Sequence, residues 1–247
     1  MVKDLTTGSP ARLIIGFSLP LLAGNLFQQF YSMADTIVVG RSIGVDALAA
    51  VGSTGAISFL VLGFVIGLTG GFSVVVAQKF GAGDEREVRR AVAMSVYLSV
   101  LLTIVLTAVS VLCTRPLLNF MQTPANIYED AYAYIVVIFA GTGATIFYNL
   151  LSGVLRALGD SRTPLYFLIL SSVINVALDL VFILVFGMGV AGAAYATVAA
   201  QVLSGLLCLL YMAKKFPILR FHKSDWAWNG RLVVHHLRLG PPMAVQF

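Results

Sequence analysis

Six long apolar blocks, each about 20 residues or more, dominate this sequence of 247 residues. An α-helix needs about 20 apolar residues to cross the roughly 30 Å of hydrocarbon in a bilayer. The chain is 59% hydrophobic and only 11% charged, whereas an ordinary globular domain carries about 25% charged residues. A water-soluble surface cannot be built from this composition. The sequence therefore predicts an all-α membrane protein, a bundle of six transmembrane helices.

The positions of the blocks divide the chain into three parts. The predicted spans are residues 13–40, 48–77, 91–113, 132–155, 164–186 and 190–213. Residues 1–213 are thus predicted to form a six-helix amino-terminal lobe. Residues 214–239 mix basic side chains with Trp226 and Trp228, a composition that favours a cytoplasmic or interfacial linker. A seventh helix is expected near Gly240, so residues 240–247 begin a second lobe.

The basic residues are distributed very unevenly between the two sides of the predicted bundle. If the amino terminus is cytoplasmic, the outer segments hold only Arg41 and Arg115, and the other fourteen of the 16 Lys and Arg lie inside. Cytoplasmic loops of membrane proteins carry such an excess. We therefore expect a multi-pass protein of the cell's inner (plasma) membrane with a cytoplasmic amino terminus. The net charge of +5 then needs no nucleic-acid partner.

Two acidic residues of the eleven, Asp35 and Asp179, fall inside predicted spans. A carboxylate within the membrane is costly, and such residues mark ion or substrate pathways. Asp35 lies six residues from Arg41 and Asp179 eight residues from Gly187. At 1.5 Å per residue, both lie about 10 Å below the outer surface. The two carboxyl groups are therefore predicted to share one site.

Polar side chains recur at helical spacing in four spans, which aligns them on one face of each helix. They are Asn25, Gln28, Ser32, Asp35 and Thr36; Thr142, Thr145, Tyr148, Asn149 and Ser152; Ser171, Ser172, Asn175 and Asp179; and Thr197, Gln201 and Ser204. The four stripes predict a polar cleft within the bundle. For any single Ser or Thr, a hydrogen bond to its own helix is the simpler interpretation.

The sequence contains motifs that could indicate an enzyme or a nucleotide-binding site, but their positions in the chain argue against both. Residues 187–192 spell the dinucleotide-binding fingerprint, but they follow a membrane helix rather than a strand and indicate a tight turn. No phosphate-binding loop with Gly-Lys-Ser or Gly-Lys-Thr is present. Adjacent histidines such as His235 and His236 point to different faces of a helix, which argues against a metal site. We expect no enzyme activity and no cofactor.

Several motifs together resemble those of multidrug and toxic compound extrusion (MATE) proteins. They are, in chain order, Pro20 to Gly40 with the tract Met33-Ala-Asp-Thr-Ile-Val-Val-Gly40, Leu48-Ala-Ala-Val51, Ala77-Gln-Lys-Phe-Gly-Ala-Gly-Asp84, Gly153-Val-Leu-Arg-Ala-Leu-Gly-Asp-Ser-Arg-Thr-Pro164, Asn175-Val-Ala-Leu-Asp179, Gly189-Val-Ala-Gly192 and Tyr195-Ala-Thr197. These motifs cover nearly the whole chain in the family's order, and their combination is specific.

The resemblance implies one lobe of a twelve-helix antiporter that exports amphipathic or cationic drugs in exchange for H⁺ or Na⁺. It implies a cation-coupling site made of Asp35, Tyr134, Asn175, Asp179 and Thr197, with Asp35 and Asp179 as candidate Na⁺ ligands. The substrate cleft is expected to include Asn25, Gln28, Asn149 and Gln201. The expected partners are drug molecules, membrane lipid, and either a carboxyl-terminal lobe or a second copy of this chain.

Three alternatives stand beside a drug exporter. A lipid-linked saccharide flippase of the same superfamily would tend to show a cationic cavity, whereas the sequence suggests an interior without Lys or Arg. An intramembrane aspartyl protease also needs two buried Asp, but pairs Tyr-Asp with Gly-x-Gly-Asp. Here Ala34 precedes Asp35 and Leu178 precedes Asp179. A noncatalytic membrane subunit is the third alternative.

Overall fold

The computed structural model describes residues 10–246, except for the side chains of residues 10–14, 17, 21, 25, 31 and 32. Within this range the regular structure is entirely helical. The α-helices are α1 Pro10–Ser42, α2 Val45–Gly81, α3 Glu85–Phe120, α4 Tyr128–Ala140, α5 Thr142–Ala157, α6 Arg162–Leu180, α7 Gly189–Lys215 and α8 Gly230–Ala244. A π-helix, Val181–Val185, extends α6, and two 3-10 turns, Pro217–Leu219 and Lys223–Trp226, precede α8.

Length and apolar composition identify the membrane spans among the described residues. Four helices, α2, α3, α6 with its π-helix, and α7, are long and apolar enough to cross a bilayer, and the bent pair of α4 and α5 makes a fifth. Helix α1 has 33 residues, which corresponds to about 50 Å at 1.5 Å per residue. The predicted all-α membrane fold is confirmed: five of the six predicted blocks coincide with these candidate spans, and the first block coincides with helix α1.

The fourth predicted span, residues 132–155, is two helices rather than one. Helices α4 and α5 meet at Gly141 with a bend of 43°. A Cβ atom at Gly141 would collide with the side chain of Val198 on α7. Gly141 therefore lets α7 pack into the bend.

Helix α2 lies inside the bundle, as its glycine content predicts. It contacts α1, α3, α4, α5 and α8. Its closest approach is to α8, where a Cβ atom on Gly71 would lie 2.5 Å from the Gly240 Cα, and one on Gly67 would lie 2.5 Å from the Ala244 Cα. We call this contact the glycine seam, Gly67 and Gly71 against Gly240 and Ala244.

The seventh helix begins ten residues before the predicted position near Gly240. Helix α8 starts at Gly230, because the Asn229 side chain accepts a hydrogen bond from the Leu232 N–H at 3.3 Å and caps the first turn. The last third of the predicted linker is therefore helical. The division of the chain at residues 213 and 239 stays a prediction.

The linker is held against α3 by a group that we call the linker latch, Arg89, His222 and Asp225. The Arg89 guanidinium donates from Nε to the buried Asp225 carboxylate at 3.0 Å, and the His222 backbone N–H donates to the same carboxylate at 2.9 Å. The His222 bond, followed by the Arg89 bond and charge, outweighs desolvation and lowers the pKa of Asp225 below its ordinary value. Trp226 packs edge-on against Tyr97 of α3.

Candidate functional site

Asp35 on α1 and Asp179 in the last turn of α6 lie against each other. Both residues are buried, with exposed fractions of 6% and 0%. Their carboxyl groups are close enough to share a hydrogen bond when one of them carries a proton. Without that proton, Asp35 Oδ1 and both Asp179 oxygens have no donor among the described residues. The structure thus places the two intramembrane acids together, and their coupling role stays a prediction.

Asn175 lies one turn before Asp179 on α6 and extends the same face. It is fully buried, and within the described range neither its amide nitrogen nor its amide oxygen has a hydrogen-bond partner. Helix α6 ends one residue after Asp179 and continues as the π-helix Val181–Val185. Single-turn π-helices are rare and occur frequently at functional sites. No feature of the sequence indicated this change of helix type.

A cavity of about 340 Å³ lies between α1, α2, α4, α5 and α7 and borders Asp35. The predicted site residues Tyr134 and Thr197 line it, whereas Asn175 and Asp179 are buried outside its lining. Helix α2 adds Thr54 and Ser58, which the sequence interpretation missed. The Ser58 hydroxyl is buried without a partner among the described atoms. Thr54 and Ser58 are four residues apart, a spacing that places both on one face of α2 and could have indicated a polar lining. The many glycines of α2 indicated helix packing instead.

The four predicted cleft residues have different positions. Gln28 and Gln201 line the 340 Å³ cavity, and Asn149 lines a second cavity of about 110 Å³. Asn25 belongs to the side chains outside the described residues. The second cavity is also lined by Arg156, so the expectation of an interior without Lys or Arg is wrong. Arg156 directly follows the fourth predicted block, residues 132–155, and from the sequence alone it was counted as a loop residue.

The oxygen atoms around Asp35 and Asp179 are of the type that a hard cation binds. The two carboxyl groups and the Asn175 amide oxygen are buried together near the large cavity, and several of these oxygens have no donor. The described residues contain no group of three or more His, Cys, Asp and Glu side chains arranged to hold a metal ion. The chemistry of this set fits a proton or a monovalent cation such as Na⁺, because only two negative charges are present.

The sequence and the fold both match one family. A family model described as MatE matches residues 20–181. The chain belongs to the MatE family. Probable multidrug resistance protein YoeA of Bacillus subtilis (strain 168) is 35% identical over 236 residues, covering 93% of this chain and 51% of YoeA. Probable multidrug resistance protein YpnP of the same strain is 33% identical, covering 98% of this chain and 54% of YpnP.

A solved structure supports the assignment to the MatE family. An outward-facing multidrug resistance MATE family transporter of the MOP superfamily superposes with a TM-score of 0.88 at 29% identity. The match covers 96% of this chain and 53% of that chain. The chain therefore spans about half the length of the relatives that it matches. Its family and fold are those of multi-pass membrane transporters rather than enzymes, and the predicted resemblance is confirmed.

Proposed function

We propose that this chain is the amino-terminal lobe of a secondary multidrug efflux transporter, which exports amphipathic or cationic drugs in exchange for H⁺ or Na⁺. The contact between Asp35 and Asp179 beside the 340 Å³ cavity carries the proposal. The names of YoeA and YpnP support drugs as the substrate class. No organic cofactor is required, because the ion gradient supplies the energy.

The coupling step follows from the electrostatics of the acid pair. Two ionised carboxylates in contact repel each other strongly when little water surrounds them. A proton shared between Asp35 and Asp179, or Na⁺ held by their oxygens and the Asn175 amide oxygen, removes this repulsion. Because Asp35 is on α1 and Asp179 on α6, ion binding stabilises the contact between these helices. The ion thus favours one arrangement of α1 over another, as a ligand with differential affinity must.

Helix α1 contains a residue suited to respond to this change. Pro20 lies inside α1 and lines the second cavity. Proline lacks the N–H for one helical hydrogen bond, and its ring disfavours a straight helix. We propose that α1 bends near Pro20 when the ion binds at Asp35. The bend alters the cleft lining and couples ion entry to drug release.

The proposed orientation places the amino terminus, the α2–α3 turn and the linker in the cytoplasm of a cell with an inner (plasma) membrane. The linker latch joins the linker to the start of α3, at the end of the bundle that faces the cytoplasm in this orientation. At the opposite end, Asn126 donates to the Asp46 carboxylate at 3.5 Å.

The partner that completes the transporter is a carboxyl-terminal lobe or a second copy of the chain, since the relatives are about twice as long.

The comparisons do not favour the flippase or the aspartyl protease. A flippase for lipid-linked saccharides would tend to show a cationic cleft throughout, whereas the larger cavity of this cleft is lined, among the described residues, by Asp35 and uncharged side chains, and only the smaller cavity holds an arginine. An intramembrane aspartyl protease pairs a Tyr-Asp motif with a Gly-x-Gly-Asp motif, and neither Asp35 nor Asp179 lies in such a motif. The chain's relatives are named as multidrug resistance proteins, which favours an exporter over a protease.

Gradient-driven drug efflux from proteoliposomes tests the proposal. In the complete transporter that contains this lobe, Asp35→Asn and Asp179→Asn should each abolish export driven by a H⁺ or Na⁺ gradient. Asp46→Asn, which changes an exposed acid at the outer end of α2, is the matched control and should export normally. Full export by both site variants, with folding intact, is the result that rejects the proposal.

A further inference from the structure

The second cavity has a chemistry different from that of the first. It has a volume of about 110 Å³ and lies between α1, α5 and the start of α6. A buried water needs roughly 10–15 Å³ of such volume, so the cavity has room for a group larger than a single water. Its polar lining consists of a guanidinium, two hydroxyls and three amides, from Arg156, Tyr148, Ser161, Gln28, Asn149 and Gln201. Among the residues that the structure describes, no Asp or Glu lines it.

Arg156 is partly buried and carries the only charge among the described residues of this lining. Among the described residues it forms no salt bridge. The nearest acid in the sequence, Asp160, accepts hydrogen bonds from the backbone N–H groups of Arg162 and Thr163 at 3.2 and 3.0 Å and from the Thr163 hydroxyl. Asp160 therefore caps α6 rather than neutralising Arg156.

The side chains around Arg156 complete a set that suits an anion. Ser161 is buried and makes no capping hydrogen bond to α6. The Gln201 side-chain oxygen is buried without a donor in the described range, and the amide nitrogen of the same side chain is the group that can donate to an anion. A guanidinium presents donors in a fork that matches a carboxylate or phosphate, and amide and hydroxyl donors can complete the shell.

The two cavities adjoin each other. Gln28, Ile66 and Gln201 line both of them. The cleft therefore runs from the acid pair near the outer end of the bundle to Arg156 at the end of α5, where that helix meets the α5–α6 turn. Opposite charges lie at its two ends, with glutamine side chains between them.

We propose that the Arg156 cavity is a binding subsite for an anionic carboxylate or phosphate group. The role of this subsite in a transport cycle rests on the proposed function. In that case, a substrate with a cationic group near Asp35 and an anionic group at Arg156 would be complementary in charge to both ends of the cleft. Two sources carry this chemistry, a soluble amphipathic anion and the phosphate headgroup of a lipid that enters from the inner leaflet. The subsite itself requires only that Arg156 binds the anionic group.

The subsite is tested by measuring the affinity of the purified protein for phenyl phosphate. Isothermal titration calorimetry gives this affinity at equilibrium, without any ion gradient. Benzyl alcohol serves as the neutral comparison. Arg156→Gln should weaken phenyl phosphate binding about tenfold or more, because a charge-assisted hydrogen bond is lost. Arg156→Lys keeps the charge but not the fork, so it should restore part of the affinity. Arg162→Gln, an exposed arginine six residues away, is the matched control and should bind as the unchanged protein does.

Lipid composition separates the two sources. If phosphatidylglycerol in nanodiscs lowers the affinity for phenyl phosphate relative to phosphatidylcholine, the site also takes anionic headgroups. Equal affinity in both lipids assigns the site to soluble anions. Equal binding of phenyl phosphate and benzyl alcohol, or unchanged binding by a folded Arg156→Gln variant, overturns the proposal. Asp35→Asn should still bind phenyl phosphate, so loss of export and loss of the anion site are measured independently.

Discussion

Gly71 of α2 and Gly240 of α8 approach so closely that a methyl group on Gly71 would lie 2.5 Å from the Gly240 Cα and 2.8 Å from its nitrogen. One turn away, Gly67 makes the same kind of approach to Ala244. Small residues four apart let helix backbones meet in this way inside membranes. The glycine seam thus joins the helix after the linker to the centre of the lobe.

The first prediction is that Gly71→Ala pushes α8 away from α2. The added methyl group meets backbone atoms that cannot rotate aside, and overpacking of this kind costs about 1–3 kcal/mol of the free energy of unfolding. The thermal unfolding midpoint of the purified protein should fall. Gly70→Ala is the matched control, because its Cβ would meet only the flexible end of Met243 at 3.7 Å. Equal midpoints for the two variants would contradict the close packing.

The second prediction concerns orientation in the membrane. In a background where Cys113 and Cys208 are changed to Ser, a cysteine at position 125 should react with an impermeant maleimide on intact cells, and one at position 224 should not. Both positions are exposed in the structure. Permeabilised cells provide the control, since both cysteines should then react. Labelling of position 224 alone on intact cells would reverse the proposed topology.

The third prediction is that the linker latch opens in acid. Because the pKa of Asp225 lies below its ordinary value of 3.8 in the folded protein, the latch contributes its full stability above that pH. The contribution falls as the pH drops below 3.8. Both tryptophans of the chain, Trp226 and Trp228, are in the linker, so their fluorescence reports the opening directly.

The variant Asp225→Asn should show the acid form of this fluorescence already at pH 7. Glu85→Gln is the matched control, because Glu85 pairs with the same Arg89 at 3.9 Å but is 70% exposed. Exposed pairs contribute little to stability. If the Glu85→Gln spectrum changes as much as that of Asp225→Asn, the latch does not depend on the buried carboxylate.

The fourth prediction is that the 247-residue chain inserts and folds but does not drive efflux alone. Its spans satisfy their backbone hydrogen bonds within helices, which is the main requirement of a bilayer. Transport requires one repeat to move against another around a shared site, and the chain spans about half of its relatives. Dye efflux from proteoliposomes under H⁺ and Na⁺ gradients measures this. Robust efflux would show that a single lobe, as a monomer or homodimer, is sufficient.

Much of the fold was predictable because the bilayer restricts the alternatives. Apolar length alone located the long helical segments of the bundle, and the rarity of intramembrane acids selected Asp35 and Asp179 before any geometry was known. Their shared depth follows from the fixed rise of a helix, so their contact was also predictable. The features that could not be predicted depend on contacts between residues far apart in the chain. The bend at Gly141 depends on Val198, more than fifty residues later in the chain.

The position of Arg156 shows where the sequence interpretation failed. A basic residue at the end of an apolar block is usually a solvated loop residue, and its long side chain can extend in either direction. Whether it points to water or into the bundle depends on α1 and α6, which close the second cavity around it. The charge of Arg156 was visible in the sequence, but its surroundings were not.

The linker latch also limits how far α8 can travel. Only five Cα-to-Cα steps separate Asp225 from Gly230, and a fully extended chain covers about 18 Å in that number of steps. While Arg89 holds Asp225, the start of α8 is tethered within that radius of α3. Small displacements of α8 from the glycine seam are therefore reversible, because the linker keeps the helix nearby. Any larger displacement of α8 must first break the ion pair between Arg89 and Asp225.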